Sequence, residues 1–486
     1  MYVVLLCIIT ALEKGIIVLQ TFEEFNLPPL IARGVQDQGY TQPTPIQALA
    51  IPALSSGNHD KIGLAQTGTG KTAAFVIPLL SQLDASSSAI QALILTPTRE
   101  LAYQVGGEIS KISTHTKLRS ALVYGGVPYP GQIRSLNQGK PQIVVGTPGR
   151  ILDLIDRKVL KLSQVKFCIL DEADEMLNMG FLEDVKSIFT HFAQKPQLWM
   201  FSATMSTGIK RLIKQEFNQP EFLQVEGGLD HKKDIEQTYY FVQGSQRREA
   251  LLRLILNESS VYGLIFCQTK LETVGVAQFL QSKNLAVEVL NGDLTQAQRD
   301  VAMKRFRKKQ VQLMVCTDVA ARGIDIENLT HVFNYNLPND LESYTHRIGR
   351  TGRNGLKGKA MSLVSSADIP RLRKIQHTSK VELIEKKIPD GRKVNEKLMQ
   401  RQLENLCSEQ VGDLSPDLLV KMDQVLHGLE RDQLYSLIYN LRLKSSLNLC
   451  DETMTFQKPR PEKKEYKPRS RSYGRKPRSY TRRRLH

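Results

Sequence analysis

The chain has 486 residues, of which 41% are hydrophobic, and it carries a formal net charge of +17. This length exceeds what one hydrophobic core serves, so two or three soluble domains are expected, and no internal segment has the uncharged apolar length that spans a bilayer. Thirteen Lys or Arg against two Glu lie in residues 458–486, which therefore hold +11 of the charge. A polycationic end suits a phosphate backbone, whereas the alternative interpretation is a solvated tail that only aids solubility.

The cysteines indicate a reducing compartment. The chain has six of them, scattered without a short paired spacing and partly within apolar runs. This usage predicts reduced, mostly buried thiols of a cytoplasmic protein, and it suggests no metal site.

Residues 1–20 form an atypical apolar leader. The run from Tyr2 to Leu12 has the length of a signal peptide, but no positive region precedes it, no small-residue cleavage site follows, and Glu13 and Lys14 end it. We interpret the segment as an odd leader rather than an export signal. One hypothesis is that translation starts near Val18, because recognisable sequence begins at Phe22.

Two stretches of the chain alternate short apolar runs with helix-like segments. In residues 21–225 the predicted strands are 92–95, 142–145, 167–170 and 198–201, and in residues 236–379 they are 263–267, 286–290, 312–316 and 331–335. Gly and charged residues in 226–235 predict a linker between the two. The pattern predicts an α/β protein with two tandem doubly wound parallel-sheet domains.

The C-terminal part lacks this alternation. Residues 380–450 predict a helical extension: Ser415 is an N-cap candidate, Pro416 fits the first helical position, and apolar residues follow at helical spacing. Their faces need a partner, which is either the body of this chain or a second copy of it. Residues 451–486 are rich in Pro, Arg and Ser and predict a disordered basic tail that suits a phosphate backbone, with tyrosines spaced among arginines that can stack on unpaired bases.

The first chemical motif is AQTGTGKT, at residues 65–72, between a strand start and a helix. Its glycines let backbone N–H groups approach phosphate oxygens. Lys71 supplies charge to the β and γ phosphates, and the Thr72 hydroxyl is a ligand for Mg²⁺.

A second motif follows the predicted strand 167–170. A carboxylate at a strand end holds Mg²⁺ through water and its neighbour activates the attacking water, so Asp171 and Glu172 are the candidates for these two roles. An acidic helix N-terminus would explain the acidic residues, but it would not explain why they occur together with the phosphate-binding loop (P-loop) at residues 65–72.

The third motif is the run HRIGRTGR, at residues 346–353 of the second domain. Arginines that project from a Gly-containing loop suit a phosphoryl transition state better than a structural role. If they reach the P-loop, catalysis requires closure of the two domains.

Together these motifs resemble those of DEAD-box RNA helicases, which the residues at 171–174 spell out. The resemblance covers residues 22–365 and implies tandem RecA-like domains that use ATP and Mg²⁺. It assigns Phe22 and the block at 39–47, which includes Tyr40, to adenine, with Gln47 on the base edge. The nucleotide-binding set is then Phe22, Tyr40, Gln47, Ala65, Gln66, Thr67, Gly68, Thr69, Gly70, Lys71, Thr72, Gly323 and Asp325, the last of which contacts the ribose.

The same resemblance implies an RNA path and a coupling set. The RNA path comprises Pro97, Thr98, Arg99, Gly125, Gly126, Thr147, Pro148 and Arg150 on the first domain and Gln296, Arg299 and Thr317 on the second. Asp174, Ser202, Thr204 and His346 would couple the ATP state to RNA binding, and Arg350 and Arg353 would be arginine fingers. Hydroxyls, Gly N–H groups and arginines are ordinary phosphate ligands and read no sequence.

Several alternatives remain at this stage. A DNA translocase would share the P-loop and the arginines but not the adenine block together with Asp174. An RNA clamp that holds more than it unwinds has the same motifs, whereas a structural protein with a dead ATPase is disfavoured because the catalytic set is complete. The C-terminal part resembles the extension of bacterial cold-shock type members, which act in ribosome assembly and RNA turnover. That resemblance implies partners among ribosomal precursors or RNA-decay proteins, a homodimer through 380–450, and no membrane.

Overall fold

A computed structural model describes residues 21–65, 68–225, 235–321, 326, 329–352, 356–379, 382–408, 415–440 and 449–456. The expected linker at 226–234, the leader at 1–20 and the tail from residue 457 lie outside these ranges. So do Gln66, Thr67, Gly323, Asp325 and Arg353 among the predicted site residues.

The first domain is built on a parallel sheet whose strands are β1 (Lys61–Leu64), β2 (Ala92–Leu95), β3 (Ser120–Val123), β4 (Ile143–Gly146), β5 (Phe167–Leu170), β6 (Gln197–Ser202) and β7 (Glu221–Gln224). Their order is β3-β4-β2-β5-β6-β1-β7. Because β1 adjoins β6 and β6 adjoins β5, the segments that follow these three strands meet at one edge.

Helices cover both faces of this sheet. They are α1 (Pro29–Asp37), α2 (Pro45–Ser55), α3 (Lys71–Gln82), α4 (Arg99–Ile112), α5 (Tyr129–Gly139), α6 (Pro148–Asp156), α7 (Ala173–Asn178), α8 (Leu182–Phe189) and α9 (Thr207–Glu216). Separate hydrophobic clusters fill the two sides, one with Phe75 and Trp199 and the other with Leu93 and Met200. This two-sided burial explains why the strands read as continuous apolar runs.

The second domain repeats the design with β8 (Ile235–Phe241), β9 (Gly263–Cys267), β10 (Val287–Leu290), β11 (Leu313–Thr317), β12 (His331–Asn334), β13 (Gly358–Val364) and β14 (Ile384–Glu385). The sheet order is β10-β11-β9-β12-β13-β8-β14, and all pairs are parallel. Its helices are α10 (Arg247–Asn257), α11 (Lys270–Ser282), α12 (Gln296–Arg307), α13 (Asp318–Ala321), α14 (Leu341–Ile348), α15 (Ile369–Ser379) and α16 (Gly391–Ser408). The predicted α/β class with two tandem doubly wound sheets is confirmed.

The second domain differs from its expected boundaries at both ends. Strand β8 begins at Ile235, which was placed in the linker. Strand β14 and helix α16 lie beyond residue 379, yet β14 pairs with β8 and the buried Val394 of α16 belongs to the domain's core. Strand β14 has only two residues, which is too short for a hydrophobic periodicity to reveal it in the sequence.

Lys61 occupies a strand position where an apolar residue would be expected. Its side chain is buried, and its ammonium forms an ion pair with Glu221 on the neighbouring strand β7. The edge position of β7 leaves Glu221 half exposed, so the pair sits where the burial of charge is least costly.

The C-terminal extension contains the two predicted helices, α17 (Pro416–Leu426) and α18 (Arg431–Ile438). Val425 and Tyr435 are 73% and 62% exposed, so their apolar faces are uncovered within the described part of the chain. Residues 449–456 then return to the second domain, where Cys450 is buried in its core. The expected disordered tail at 451–486 is therefore shortened at its start, because 451–456 are docked.

Candidate active site

The P-loop holds a buried ammonium in readiness for an anion. Gly70 precedes α3 with φ = 85°, and a Cβ there would lie 2.5 Å from Nε2 of Gln47, so the position requires glycine. Lys71 is 6% exposed, and among the described residues, which exclude Gln66 and Thr67, its Nζ has no hydrogen-bond partner. A buried, unpaired ammonium is costly, and a nucleotide phosphate is the ligand that removes this cost.

The adenine block is joined to the P-loop through Gln47. Its Oε1 accepts a hydrogen bond from the Thr44 backbone N–H at 2.9 Å, and its Nε2 donates to the Gly70 carbonyl at 3.2 Å. The Thr44 hydroxyl donates to the Thr69 carbonyl at 2.8 Å. Thr44 lies within the predicted block 39–47 but had no role of its own there, although the capping box that it forms with Gln47 is visible in the sequence.

The rings assigned to adenine form one aromatic group. Phe22 stacks on Tyr40 with ring centroids 5.7 Å apart and planes 19° from parallel. The Tyr40 hydroxyl donates to Glu108, and burial, followed by this carboxylate, raises the pKa of Tyr40. The two rings are thus held as a rigid apolar wall beside the block that contains Gln47.

The predicted catalytic carboxylates are both buried at the end of β5. Burial raises the pKa of Asp171 to about 7, while the nearby Lys71 opposes this shift and Glu172 adds to it. Glu172 has φ = 50°, a conformation that a non-glycine residue adopts at a cost and that is concentrated at functional sites. A carboxylate that burial makes hard to ionise fits a cation, so the site suits Mg²⁺ beside a phosphate.

Asp174 connects this turn with the segment after β6. Its Oδ2 accepts hydrogen bonds from the Ala203 N–H at 3.1 Å and from the Thr204 hydroxyl at 2.9 Å. The Ser202 hydroxyl donates to the Thr204 carbonyl at 2.8 Å, and the Ala65 N–H donates to the Ser202 carbonyl at 3.1 Å. The predicted coupling residues of the first domain therefore contact both the start of the P-loop and the acidic segment 171–175, which we call the carboxylate turn.

Helix α14 of the second domain contacts the same turn. Its His346 forms an ion pair with Glu175 through Nδ1, and Nε2 lies 3.8 Å from Oδ2 of Asp174. Burial lowers the pKa of His346, but the hydrogen bond and charge of Glu175 outweigh it, so the net shift is upward. One turn earlier, the carboxylate of Glu342 contacts the same Thr204 hydroxyl, whose single proton is shared between Glu342 and Asp174.

Glu175 and Glu342 were missed by the sequence analysis. Glu342 lies four residues before His346 on a helix, which places both side chains on one face, and Glu175 directly follows Asp174. These spacings were available, but nothing local indicated that the two faces meet.

The arginines after His346 have different environments. Arg347 is 3% exposed and is held by both carboxylate oxygens of Asp318, at 2.6 and 2.7 Å, and by the Asn336 carbonyl at 2.7 Å. Arg347 therefore stabilises the second domain. Arg350 lines a narrow cleft together with Glu175 and His346, which places this predicted arginine finger at the domain interface.

The predicted RNA contacts of the first domain follow the ends of β2, β3 and β4. Thr98 caps α4 and accepts from the Leu101 N–H at 3.2 Å, and Thr147 and Pro148 begin α6. Gly126 has φ = 82° beside Arg99, whereas Arg150 donates to the Val127 carbonyl at 3.1 Å. The predicted set, which also includes Pro97 and Gly125, thus shares one edge of the sheet.

The contacts expected on the second domain continue this edge. Gln296 begins α12, Thr317 ends β11, and the Arg299 side chain donates to the Ala320 carbonyl at 2.6 Å. Nε of Arg299 lies 2.9 Å from Oε1 of Glu100 on the first domain, so this arginine bridges the cleft. Glu100 lies in the block at 97–102 that the resemblance assigns to the RNA path, but its contact with Arg299 was not predicted from the sequence.

The fold and the site define a class: two RecA-like sheets face each other, with a P-loop and a carboxylate turn on one and arginines on the other. Profiles of known families agree with this class. The DEAD/DEAH box helicase profile matches residues 44–212, and the helicase conserved C-terminal domain profile matches residues 246–355.

The chain belongs to the DEAD-box ATP-dependent RNA helicases. It is 43% identical to DEAD-box ATP-dependent RNA helicase CshA of Bacillus subtilis over 369 residues, which are 76% of this chain and 74% of that protein. It is 42% identical to the Geobacillus kaustophilus CshA over 369 residues, 76% of this chain and 79% of that one. The protein is therefore an RNA helicase that couples ATP hydrolysis to RNA unwinding.

Solved structures give the same result. Saccharomyces cerevisiae Dbp5 bound to RNA and ADP BeF3 superposes with a TM-score of 0.71 at 31% identity, covering 78% of this chain and 99% of that one. Mss116p bound to ssRNA and AMP-PNP superposes with a TM-score of 0.71 at 25% identity, covering 88% and 97%. In the described ranges, each helix falls short of the length and apolar character that crossing a membrane needs.

Proposed function

We propose that this helicase locally separates short RNA duplexes and remodels RNA–protein complexes by closing its two domains on ATP, Mg²⁺ and one RNA strand. The observation that carries the proposal is the contact of His346 and Glu342 with the carboxylate turn and Thr204 of the first domain. Through this contact, the groups that sense ATP and the groups that grip RNA belong to one closed arrangement, so each ligand favours binding of the other.

In the ATP site each residue has a separate task. Lys71 neutralises phosphate charge, Glu172 orients and deprotonates the attacking water, and Arg350 with Arg353 stabilises the transition state. Bound Mg²⁺ would be held by Thr72 and, through water, by Asp171, and it would supply charge for phosphoryl transfer. Phe22 and Gln47 select adenine, with Asp325 and Gly323 at the ribose.

The RNA contacts are directed at the backbone. Backbone N–H groups, hydroxyls and arginines along the shared edge would bind phosphates, and contacts to 2′-hydroxyl groups would favour RNA. Closure bends the bound strand in a way that a duplex does not follow, and hydrolysis reopens the cleft.

The C-terminal region supports a role in ribosome assembly or RNA turnover in the cytoplasm, including at low temperature. Its basic tail would tether structured RNA while the core unwinds a neighbouring duplex. The uncovered apolar faces of α17 and α18 would pair with those of a second copy and make a homodimer. Sedimentation of the full chain and of a form with Val425→Lys tests this dimer, because a charged residue in the interface would shift the protein to monomer.

The experiment that tests the function is RNA capture by Glu172→Gln, which we expect to trap the closed complex. Crosslinked RNAs are sequenced with Lys71→Ala as the control, because loss of ATP binding should remove the trapped set. Enrichment of ribosomal RNA supports assembly, and messenger RNA supports decay or translation. The unmodified protein is assayed for strand displacement in parallel, and slow ATP turnover with long-lived RNA complexes and no displacement would show a clamp instead.

A further inference from the structure

Residues 449–456 form a strap that binds the outer surface of the second domain. Side chains of α10 and α16 hold its backbone: the Cys450 N–H donates to Oδ1 of Asn395 at 3.2 Å, the Asp451 N–H donates to Oε1 of Glu249 at 2.9 Å, and the Met454 carbonyl accepts from Arg253 at 2.9 Å. The strap thus exchanges specific hydrogen bonds with both α10 and α16.

The domain has a buried charge that the strap helps to satisfy. Arg253 is 2% exposed and lies 3.0 Å from Glu249, and its guanidinium stacks on the ring of Phe456 at 4.9 Å. It also donates to the carbonyls of Asp451 and Pro389. A buried guanidinium needs such acceptors, so the strap is matched to this site rather than laid on it by chance.

The strap has a defined direction across the domain. The Leu449 carbonyl accepts from Lys283 at 2.8 Å, and Lys283 follows the end of α11, at the edge where the strands begin. The Thr455 carbonyl accepts from Gln246 at 3.0 Å, and Gln246 follows β8, at the edge where the strands end. That second edge carries Asp318 and His346 and faces the first domain.

We propose that the strap fixes where the basic tail begins, so that residues 457–486 start at the cleft-facing edge of the second domain and act on RNA bound by the same molecule. Helices α17 and α18 lie between α16 and the strap in sequence, and both α16 and the strap contact the second domain, so the extension is attached to this domain on either side of α17 and α18. The proposal rests on the proposed binding of RNA by the tail.

The geometry makes this placement useful. The composition of residues 457–486 predicts an unfolded chain, and an unfolded chain of 30 residues has a root-mean-square reach of about 30 Å, roughly the diameter of a small domain. From the cleft-facing edge this reach includes RNA beside the cleft. Effective concentration falls as about the −3/2 power of linker length, so added slack should weaken binding measurably.

The first experiment tests the strap by hydrogen exchange of the full chain. We expect slow exchange at the amides of Cys450 and Asp451. Cys450→Asp should release the strap, because it places a carboxylate in an apolar site beside Glu249, whereas Thr455→Asp is the matched control with an exposed side chain. Fast exchange of these amides in the unmodified protein would overturn the proposal.

The second experiment measures affinity for a duplex with a single-stranded overhang, together with basal ATPase activity. A 60-residue Gly-Ser insertion between Phe456 and Gln457 should weaken RNA binding about fivefold. Cys450→Asp should also weaken it severalfold, with basal ATPase activity unchanged in both. Unchanged RNA affinity on strap release would overturn the placement, while unchanged affinity on deletion of 457–486 would overturn RNA binding by the tail as well.

Discussion

At the scale of single residues, the ATP site contains the buried ionisable groups Lys71 and Asp171, whose charged forms are unfavourable until ligands bind. Lys71 is buried with no hydrogen-bond partner in the part of the chain that the structure describes, and burial raises the pKa of Asp171 to about 7. Both features depend on how deeply the start of α3 and the end of β5 are buried, which no local pattern in the sequence shows.

We expect Asp171→Asn to stabilise the ligand-free protein and to abolish ATP hydrolysis. Folding raises the pKa of Asp171 to about 7. As the pH rises from about 4 to 7, the unfolded chain therefore loses this proton before the folded protein does, and the free energy of unfolding falls by up to about 1.4 kcal/mol per pH unit. The gain in melting temperature should therefore be larger at pH 8 than at pH 5. Asp174→Asn is the matched control, and it should lower the melting temperature because Asp174 accepts three hydrogen bonds.

At the scale of elements, helix α14 is the part of the second domain that contacts the carboxylate turn. Its face presents Glu342 and His346, and the ends of β5 and β6 present Glu175 and Thr204. The sequence predicted His346 as a coupling residue, and the structure adds Glu175 and Glu342 to the same contact. The sequence did not reveal this contact because His346 and Glu175 are 171 residues apart.

The ion pair of His346 predicts a pH dependence of closure. Because the pKa of His346 is raised in the closed arrangement, its contribution is complete below the ordinary value of about 6.5 and is lost as pH rises through the raised value. Glu175→Gln should move the loss of closure to lower pH. Inter-domain energy transfer with an ATP analogue and RNA, measured against pH, checks this, and an unchanged midpoint would contradict it.

The ion pair of Arg299 and Glu100 predicts a second effect at this scale. Removing the carboxylate leaves a mostly buried guanidinium without its partner, and an RNA phosphate could replace it. Glu100→Gln should therefore decrease closure without RNA more than closure with RNA. The same energy-transfer assay measures both, with the exposed Glu183→Gln as control, and equal losses would refute the assignment.

At the scale of the whole molecule, we expect the strap (449–456) and the tail (457–486) to contribute separately, the strap to stability and the tail to RNA binding. Truncation after Phe456 should weaken RNA binding and flatten its salt dependence, because fewer cations contact phosphates, and leave basal ATPase activity nearly intact. Truncation after residue 448 should also lower the melting temperature, since it exposes Arg253 and its cluster. Equal melting temperatures for the two truncations would show that the strap contributes nothing to stability.

The sequence by itself determined the α/β class, the eight strands whose ranges it predicted to within one residue at each end, and the candidate residues of the ATP site, because periodicity and phosphate-binding loops are local properties of the chain. It missed the strands β3, β7, β8, β13 and β14. Only the tertiary structure decided that Lys61 pairs with Glu221, that Arg299 bridges to Glu100, and that 451–456 belong to the folded body. Each of these contacts joins segments far apart in sequence and depends on burial, which arises when the sheets form and which no local pattern records.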